Sequence, residues 1–320
     1  MVVIPFVPPL DDVVYGNVVQ VSPLIRRVIA ENPSKFTYRG TGTYIVGHGD
    51  VAVIDPGPAL DTHRDALVRA LEGDRVRALV VTHCHADHSP LATWFREQTA
   101  APTIAVGPHT GGVPEPDDEP DDEPDDTATA SGEPVKVEES IDLAFDPDVR
   151  VVDGELIAAG PGWTLRAVHT PGHTSNHLCV AFDEEQALFT GDHVMGWSTT
   201  VVSPPDGDMR AYLDSLRKVR ARHDAVLWPT HGGPVTEPGP FLDAYLAHRL
   251  AREAQVLDAV RRGHRRIRPM VAELYADVRP ELHKPAARSV LAHLVKLVDD
   301  GLVAVDGGGP PRLRADFVPA

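Results

Sequence analysis

The stretch Leu79–Phe95, "LVVTHCHADHSPLATWF", sets three histidines and an aspartate within six positions, directly after an apolar run. "RALVVTH" reads as a buried strand, since a short continuous apolar run bounded by polar residues suits a strand covered on both faces. It ends where the histidines begin, and a short helix through Trp94 follows. Imidazole and carboxylate are good ligands for zinc, and a catalytic zinc keeps an open position for water. Neighbouring side chains on a turning loop diverge, so His83, His85, Asp87 and His88 cannot all serve one ion. The cluster therefore splits into two half-sites that need ligands from elsewhere in the chain.

Such ligands stand at other strand ends. "TYIVGHGDVAVIDPG" (Thr43 to Gly57) holds two β-rich runs around His48-Gly49-Asp50, a hairpin signal. "THRDALVRALEG" spaces apolar residues at helical intervals and stops at Gly73. A strand near "PTIAVG" comes next, then strands at "TLRAVHTPG", "HLCVAF" and "ALFTGD", a helix over about Met209 to Arg220 and a strand at "AVLWPTHGG". Four of these strands run into His or Asp: at His83, near His173, at Asp192 and at His231. Loops along one edge of a sheet are where α/β proteins place their sites. Strands first mixed, then separated by helices, predict an α/β sandwich.

A chain of 320 residues accommodates one large domain and a small one. No apolar run approaches the roughly 20 residues of a membrane span. The start, "MVVIPFVPPLDD", lacks a basic region and a small-residue cleavage site, so it does not read as a signal peptide. Cys84 and Cys179 form no disulfide framework, which suits a reducing cytoplasm. Cys84 lies between two histidines and reads as a small buried residue, with an oxidation-sensitive thiol as the alternative; Cys179 reads as core. The net charge is -17, and "EPDDEPDDEPDD" at 115–126 contributes nine acids and no base. Pro and acids in repeat bury no apolar area and repel one another, so 111–135 is expected to be a disordered surface insertion.

Towards the C-terminus an amphipathic helix is expected over Phe241 to Arg262, with Leu242, Tyr245, Leu246, Leu250, Leu257 and Val260 on one side. Residues 261–296 then carry nine Lys or Arg against three acids. A helix near Met270 to Tyr275, a second over about Ala286 to Asp299, and a hairpin from "GLVAV" and "RLRADFV" suggest a winged-helix module. The expected domains are 1–262 and 263–320. Lys284, Arg288 and Lys296 recur opposite Val290, Leu291, Leu294 and Val298. That is either a phosphate-contacting face or the solvated face of a packing helix.

"VIDPG" at Asp55, "THCHADH", "PGHT", "TGD" and "HGG", in this order, resemble the metallo-β-lactamase superfamily of αββα metallo-hydrolases over about residues 15–240. The resemblance implies a four-layer αββα sandwich. By position it implies His83, His85 and His173 on one metal, Asp87, His88 and His231 on a second, Asp192 bridging them, and Asp55 behind the ligands, orienting them. It also implies two zinc ions per chain, with iron or manganese as alternatives, and a metal-bridging hydroxide as nucleophile. Asp87 could accept the proton released as the nucleophile forms. His169, His177, His193 and His109 are candidates for a general acid, each also readable as a packing histidine.

"ELHKPAARSVLAHLVKLVDDGLV", following the long helix, resembles the β-lactamase-like protein 2 branch with its winged-helix-like domain. That branch includes an endoribonuclease acting on single-stranded RNA, while many bacterial relatives are labelled hydroxyacylglutathione hydrolases of the glyoxalase II type. Phosphodiester cleavage in single-stranded RNA is therefore the first expectation and acyl-thioester hydrolysis of a small molecule the second. Physical arguments divide. The acidic net charge opposes long-range attraction of a polyanion, and no aromatic-rich stacking platform is evident. Against the thioester, no glutathione-binding helical domain is evident, and Ser89-Pro90 stands where glyoxalase II usually has a Gly pair. An iron-dependent persulfide dioxygenase-like oxidoreductase is a third reading, since those members retain the histidines. The whole is expected to be a cytoplasmic metal-dependent hydrolase with no membrane partner, and superfamily members often form homodimers.

Overall fold

Two sheets, each apolar on both faces, organise the chain in the computed structural model, which describes residues 3–112 and 140–320. The first sheet runs β1 (Val18–Ser22), β2 (Ile25–Ile29), β3 (Gly42–His48), β4 (Asp50–Ile54), β5 (Arg75–Val80), β6 (Thr103–Ala105) and β7 (Val149–Arg150) in that spatial order. Its first four strands are an antiparallel meander, and from β4 onward neighbours are parallel. Parallel neighbours need crossovers. Helices α1 (Asp61–Ala70) and α2 (Pro90–Thr99) supply those between β4, β5 and β6. The second sheet comprises β8 (Leu156–Gly160), β9 (Trp163–His169), β10 (Leu178–Phe182), β11 (Ala187–Gly191) and β12 (Val226–Pro229), in the order β12-β11-β10-β9-β8. Helix α3 (Met209–Arg220) makes the crossover from β11 to its parallel neighbour β12.

The two-residue period of a strand sorts side chains into layers. Tyr44, Val46, Ala52, Ile54, Ala78 and Val80 of the first sheet meet Leu165, Ala167, Leu178, Val180 and Phe189 of the second in one central core. The intervening Ile45, Val51, Val53 and Leu79 face Leu67, Leu91 and Phe95 on α1 and α2. On the far side Cys179, Ala181 and Leu188 pack against Leu213 and Leu216 of α3 and Phe241, Leu242 and Tyr245 of α4 (Pro238–Arg261). This is the expected αββα sandwich.

Trp163 binds the two sheets together. Its ring is buried in the central core, and its Nε1 donates to the carbonyl of Asp50 across the sandwich at 2.8 Å. The backbone of β3 presses against this ring so closely that a Cβ at Gly47 would lie 2.3 Å from Nε1, at φ +96.

Beyond α4, α5 (Ile267–Leu274), α6 (His283–Asp299) and the hairpin β13 (Val303–Val305) with β14 (Phe317–Pro319) enclose a separate apolar cluster that includes Val256 and Val260 from the end of α4. Helices followed by a hairpin match the winged-helix expectation, each helix starting about one turn earlier than the apolar periodicity alone indicates. Two expectations change. Leu250 is 41% exposed, and the buried face of α4 instead includes Arg249 and Arg252. The basic face of α6 is engaged within the molecule: Lys296 Nζ donates to Glu253 and Asp300 at 2.9 and 2.8 Å, and Arg288 to Ser203 Oγ at 3.3 Å. The acidic insertion expected over 111–135 lies, past Gly112, outside the described residues. Among the described residues no helix is long and apolar enough to cross a membrane.

Truncating a buried tryptophan removes its burial and leaves a cavity, a loss of about 3–5 kcal/mol. Trp163→Ala is therefore expected to shift the urea unfolding midpoint strongly downward, and an unchanged midpoint would show that the sheets do not depend on this ring.

Candidate metal centre

Strand direction brings the histidines together. β4 and β5 run parallel, as do β11 and β12, and β9 shares the direction of β11 because each pairs antiparallel with β10. Asp55 follows β4, Thr82 to His88 follow β5, His173 follows β9, Asp192 follows β11 and His231 follows β12, all at the same edge of the sandwich. Since β10 begins at this edge, His177 stands there too.

The seven side chains form three overlapping groups able to hold a metal ion: His83, His85 and His173; His83, His88 and Asp192; and Asp87, His88 and His231. His85 Nδ1 lies 2.9 Å from His83 Nε2 and 3.3 Å from His173 Nε2. Donors about 2.0–2.1 Å from a tetrahedral zinc stand about 3.3 Å apart, so these three nitrogens are spaced as ligands of one ion. On the other side His231 Nε2 is 3.2 Å from Asp87 Oδ2 and 3.3 Å from Asp192 Oδ1, and His88 Nε2 is 3.3 Å from Asp87. Asp192 spans the groups, its Oδ2 3.9 Å from His173 Nε2 and its Oδ1 3.7 Å from His88 Nε2. His88 Nε2 and Asp192 Oδ1 are buried without a hydrogen-bond partner, which a metal ion would supply.

The opposite nitrogen of four of the five rings is held from behind, which fixes its tautomer and orientation. His173 Nδ1 donates to the Val201 carbonyl at 2.7 Å and His231 Nδ1 to that of Gly40 at 3.3 Å. His83 Nδ1 faces Thr82 Oγ1 at 3.1 Å, and His88 Nδ1 donates to Asp55 Oδ2 at 2.8 Å. Asp55, fully buried at φ +50, also accepts from Thr82 N, Thr82 Oγ1 and Thr230 Oγ1 at 2.8, 2.9 and 2.9 Å. Thr41 Oγ1 donates to Asp87 Oδ2 at 2.9 Å.

The electrostatics divide the cluster. Burial, reinforced by the neighbouring imidazoles, pulls His83 well below the usual histidine range, and burial with His173 pulls His85 down to about 3. These rings are neutral and offer lone pairs. Burial opposes charge on Asp87, Asp192, His88 and His231 as well, but their mutual attraction prevails: the carboxylates are held well below their usual range, His88 well above its own, and His231 is raised to about 10. Buried carboxylates thus draw protons onto His88 and His231, and a bound cation displaces such protons and supplies the same compensation.

All eight residues singled out from the sequence meet here. Thr41, Thr82 and Thr230 belong to the same assembly but carry no local signal as threonines beside strand ends, and His177, read from the sequence as a general-acid candidate, stands with them. His177 accepts from the Asp192 amide at 3.2 Å and contacts Thr170 Oγ1 at 2.9 Å, so both of its nitrogens are engaged in structure. Burial holds His193 down to about 3, and its ring packs on Tyr212. His169 Nε2 contacts the Ser175 carbonyl at 3.2 Å, and His109 Nδ1 lies 3.5 Å from Asp206. Burial pushes the Cys84 thiol up to about 11 and the side chain is inaccessible, which disfavours a reactive thiolate.

Comparison with known proteins agrees with this geometry. Residues 38–231 match the metallo-beta-lactamase superfamily, and residues 267–309 match the beta-lactamase associated winged helix domain. An atrochrysone carboxyl ACP thioesterase of Aspergillus chevalieri is 31% identical over 318 residues, covering 95% of this chain and 89% of that protein. One from Emericella nidulans is 32% identical over 299 residues, covering 92% and 84%. The fold is shared with a beta-lactamase domain protein from Burkholderia ambifaria at a TM-score of 0.73 and 21% identity, over 98% of this chain and 96% of that one. The chain belongs to the metallo-β-lactamase superfamily of hydrolytic enzymes and carries that superfamily's associated winged-helix domain behind a His/Asp cluster suited to metal.

Proposed function

We propose that the chain is a dinuclear zinc hydrolase of acyl thioesters, with His83, His85 and His173 on one ion, Asp87, His88 and His231 on the other, and Asp192 between them. Asp55 orients this set from behind. The observation that carries the reading is the convergence of all seven side chains at one sheet edge, with nitrogen spacings that suit a tetrahedral ion. Iron or manganese could occupy the same donors. Two metals supply a low-pKa water and polarisation of the carbonyl under attack. The chain's own work is to hold that geometry and manage the proton. Thr41 fixes the Asp87 carboxylate, which takes the proton from the attacking water.

The leaving group favours a thioester over RNA. A departing thiolate has a conjugate acid of pKa about 8.5 and needs little help, whereas an alkoxide leaving group benefits from a proton donor. His177 has both ring nitrogens engaged in structure, and the His193 ring is buried against Tyr212 and held down to about 3 by that burial, so neither is poised as a donor. Lys296 and Arg288, two members of the face that would contact phosphates, are bound internally. Thioesterase relatives of matching length support the same choice, and their names suggest an acyl group carried on an acyl carrier protein as the substrate class. The reading divides the chain into a hydrolase unit, 1–262, and a winged-helix-like unit, 263–320, which the separate cluster around α5 and α6 supports.

Two tests follow from these roles. The zinc-loaded chain is expected to hydrolyse an acyl-pantetheine thioester and leave a single-stranded RNA oligonucleotide intact, with Asp87→Ala lowering kcat by about 10²–10⁴-fold. Cleavage of the RNA with no thioester turnover would overturn the substrate assignment. Asp55→Asn is expected to weaken zinc binding by about 10–100-fold in chelator competition, the range for partners behind a metal ligand. Unaltered affinity would remove the orienting role from Asp55.

A further inference from the structure

A buried arginine reaches from the long helix towards this centre. Arg249 on α4 is 3% exposed, and its guanidinium lies over the rings of Tyr212 and Tyr245 at 5.2 and 5.6 Å. Its Nη2 donates to the carbonyl of Thr200, while its Nε is buried without a partner. A charge buried among aromatic faces is costly to desolvate, and cation–π contact offsets only part of that. Such a group is expected where it holds something else in place.

What it holds is the segment 192–203, which follows β11. Thr200 Oγ1 donates to the carbonyls of Asp192 and His193 at 2.7 and 3.1 Å, and Thr200 N donates to the Tyr245 hydroxyl. The next carbonyl, Val201, accepts the Nδ1 hydrogen of His173 at 2.7 Å. Tyr212 OH donates to the His193 carbonyl at 2.7 Å, and Arg288 of α6 holds Ser203. Two consecutive carbonyls, those of Thr200 and Val201, thus receive Arg249 and His173 respectively, while the Thr200 side chain clamps the Asp192 carbonyl. His173 and Asp192 belong to different strand ends, and this segment joins them.

We propose that Arg249 is a positioning residue for the hydrolytic centre, fixing through Thr200 the relative placement of His173 and Asp192. It touches neither substrate nor metal. The role also gives the long helix a function beyond connecting the two domains, since α4 then carries both part of the winged-helix cluster and a brace for the centre. The inference rests on the proposed metal site.

Cobalt(II) alone is the probe, read by its visible absorption and by chelator competition, with thermal melting and kinetics recorded alongside. Arg249→Met is expected to weaken cobalt binding by about 10-fold or more and to alter the cobalt spectrum, with kcat falling more than KM rises and Arg249→Lys restoring part of both. Tyr245→Phe removes only a hydroxyl that accepts from Thr200 N and donates to Thr200 Oγ1, and should shift the spectrum in the same direction. A folded Arg249→Met chain with wild-type cobalt affinity and spectrum would overturn the proposal. Should that variant fail to fold, an unchanged spectrum and affinity in Tyr245→Phe would overturn it equally. Absence of cobalt binding by the unmodified chain would instead count against the metal site itself.

Discussion

The Asp55 carboxylate is the point on which the two halves of the sandwich agree. It follows β4 in the first sheet and takes hydrogen bonds from Thr82 and His88 after β5 and from Thr230 after β12 in the second. A buried carboxylate left short of partners is expensive, so each of these groups is compelled towards it. The loop beyond β5 can then take one path only, and the Nε2 of His88 points away from Asp55 into the cluster. Trp163 performs the matching task in the apolar interior, where a side chain of β9 donates to the backbone of β4. Sheet packing and ligand geometry are therefore one problem with one solution.

The centre arises from topology as much as from residue type. Seven side chains able to hold metal are spread from His83 to His231, and only a shared strand direction brings them to one edge. Neutral imidazoles gather on one side and carboxylates on the other, so the site is electrically asymmetric. The proposed thioester substrate releases a thiolate that leaves readily, which suits a site where both nitrogens of His177 are engaged in structure. The winged-helix domain is also connected to the chemistry, because α4 and α6 both reach the segment that lies beside His173 and Asp192.

Much of this was legible in the sequence, for physical reasons. The two β-rich runs around His48-Gly49-Asp50 and the continuous apolar runs of β5 and β11 are local signals, and metal-suited residues that terminate strands stand out against them. The hairpin of β1 and β2 left no such mark, since β1 is largely exposed and its residues do not alternate in burial. Arg249 and Arg252 were hidden for the opposite reason: periodicity assigns buried positions to apolar residues, and an arginine in the core reads as solvent-facing. Thr41, Thr82 and Thr230 matter through partners brought close only by the fold. Substrate was the least legible property, because the basic spacing of α6 describes a nucleic-acid surface as well as it describes Lys296 bound to Glu253 and Asp300.

The most direct test of the central claim is elemental analysis of the chain purified without added metal. The dinuclear hydrolase account predicts about two zinc ions per chain. About one iron and no zinc per chain would contradict it and turn the same histidines towards redox chemistry.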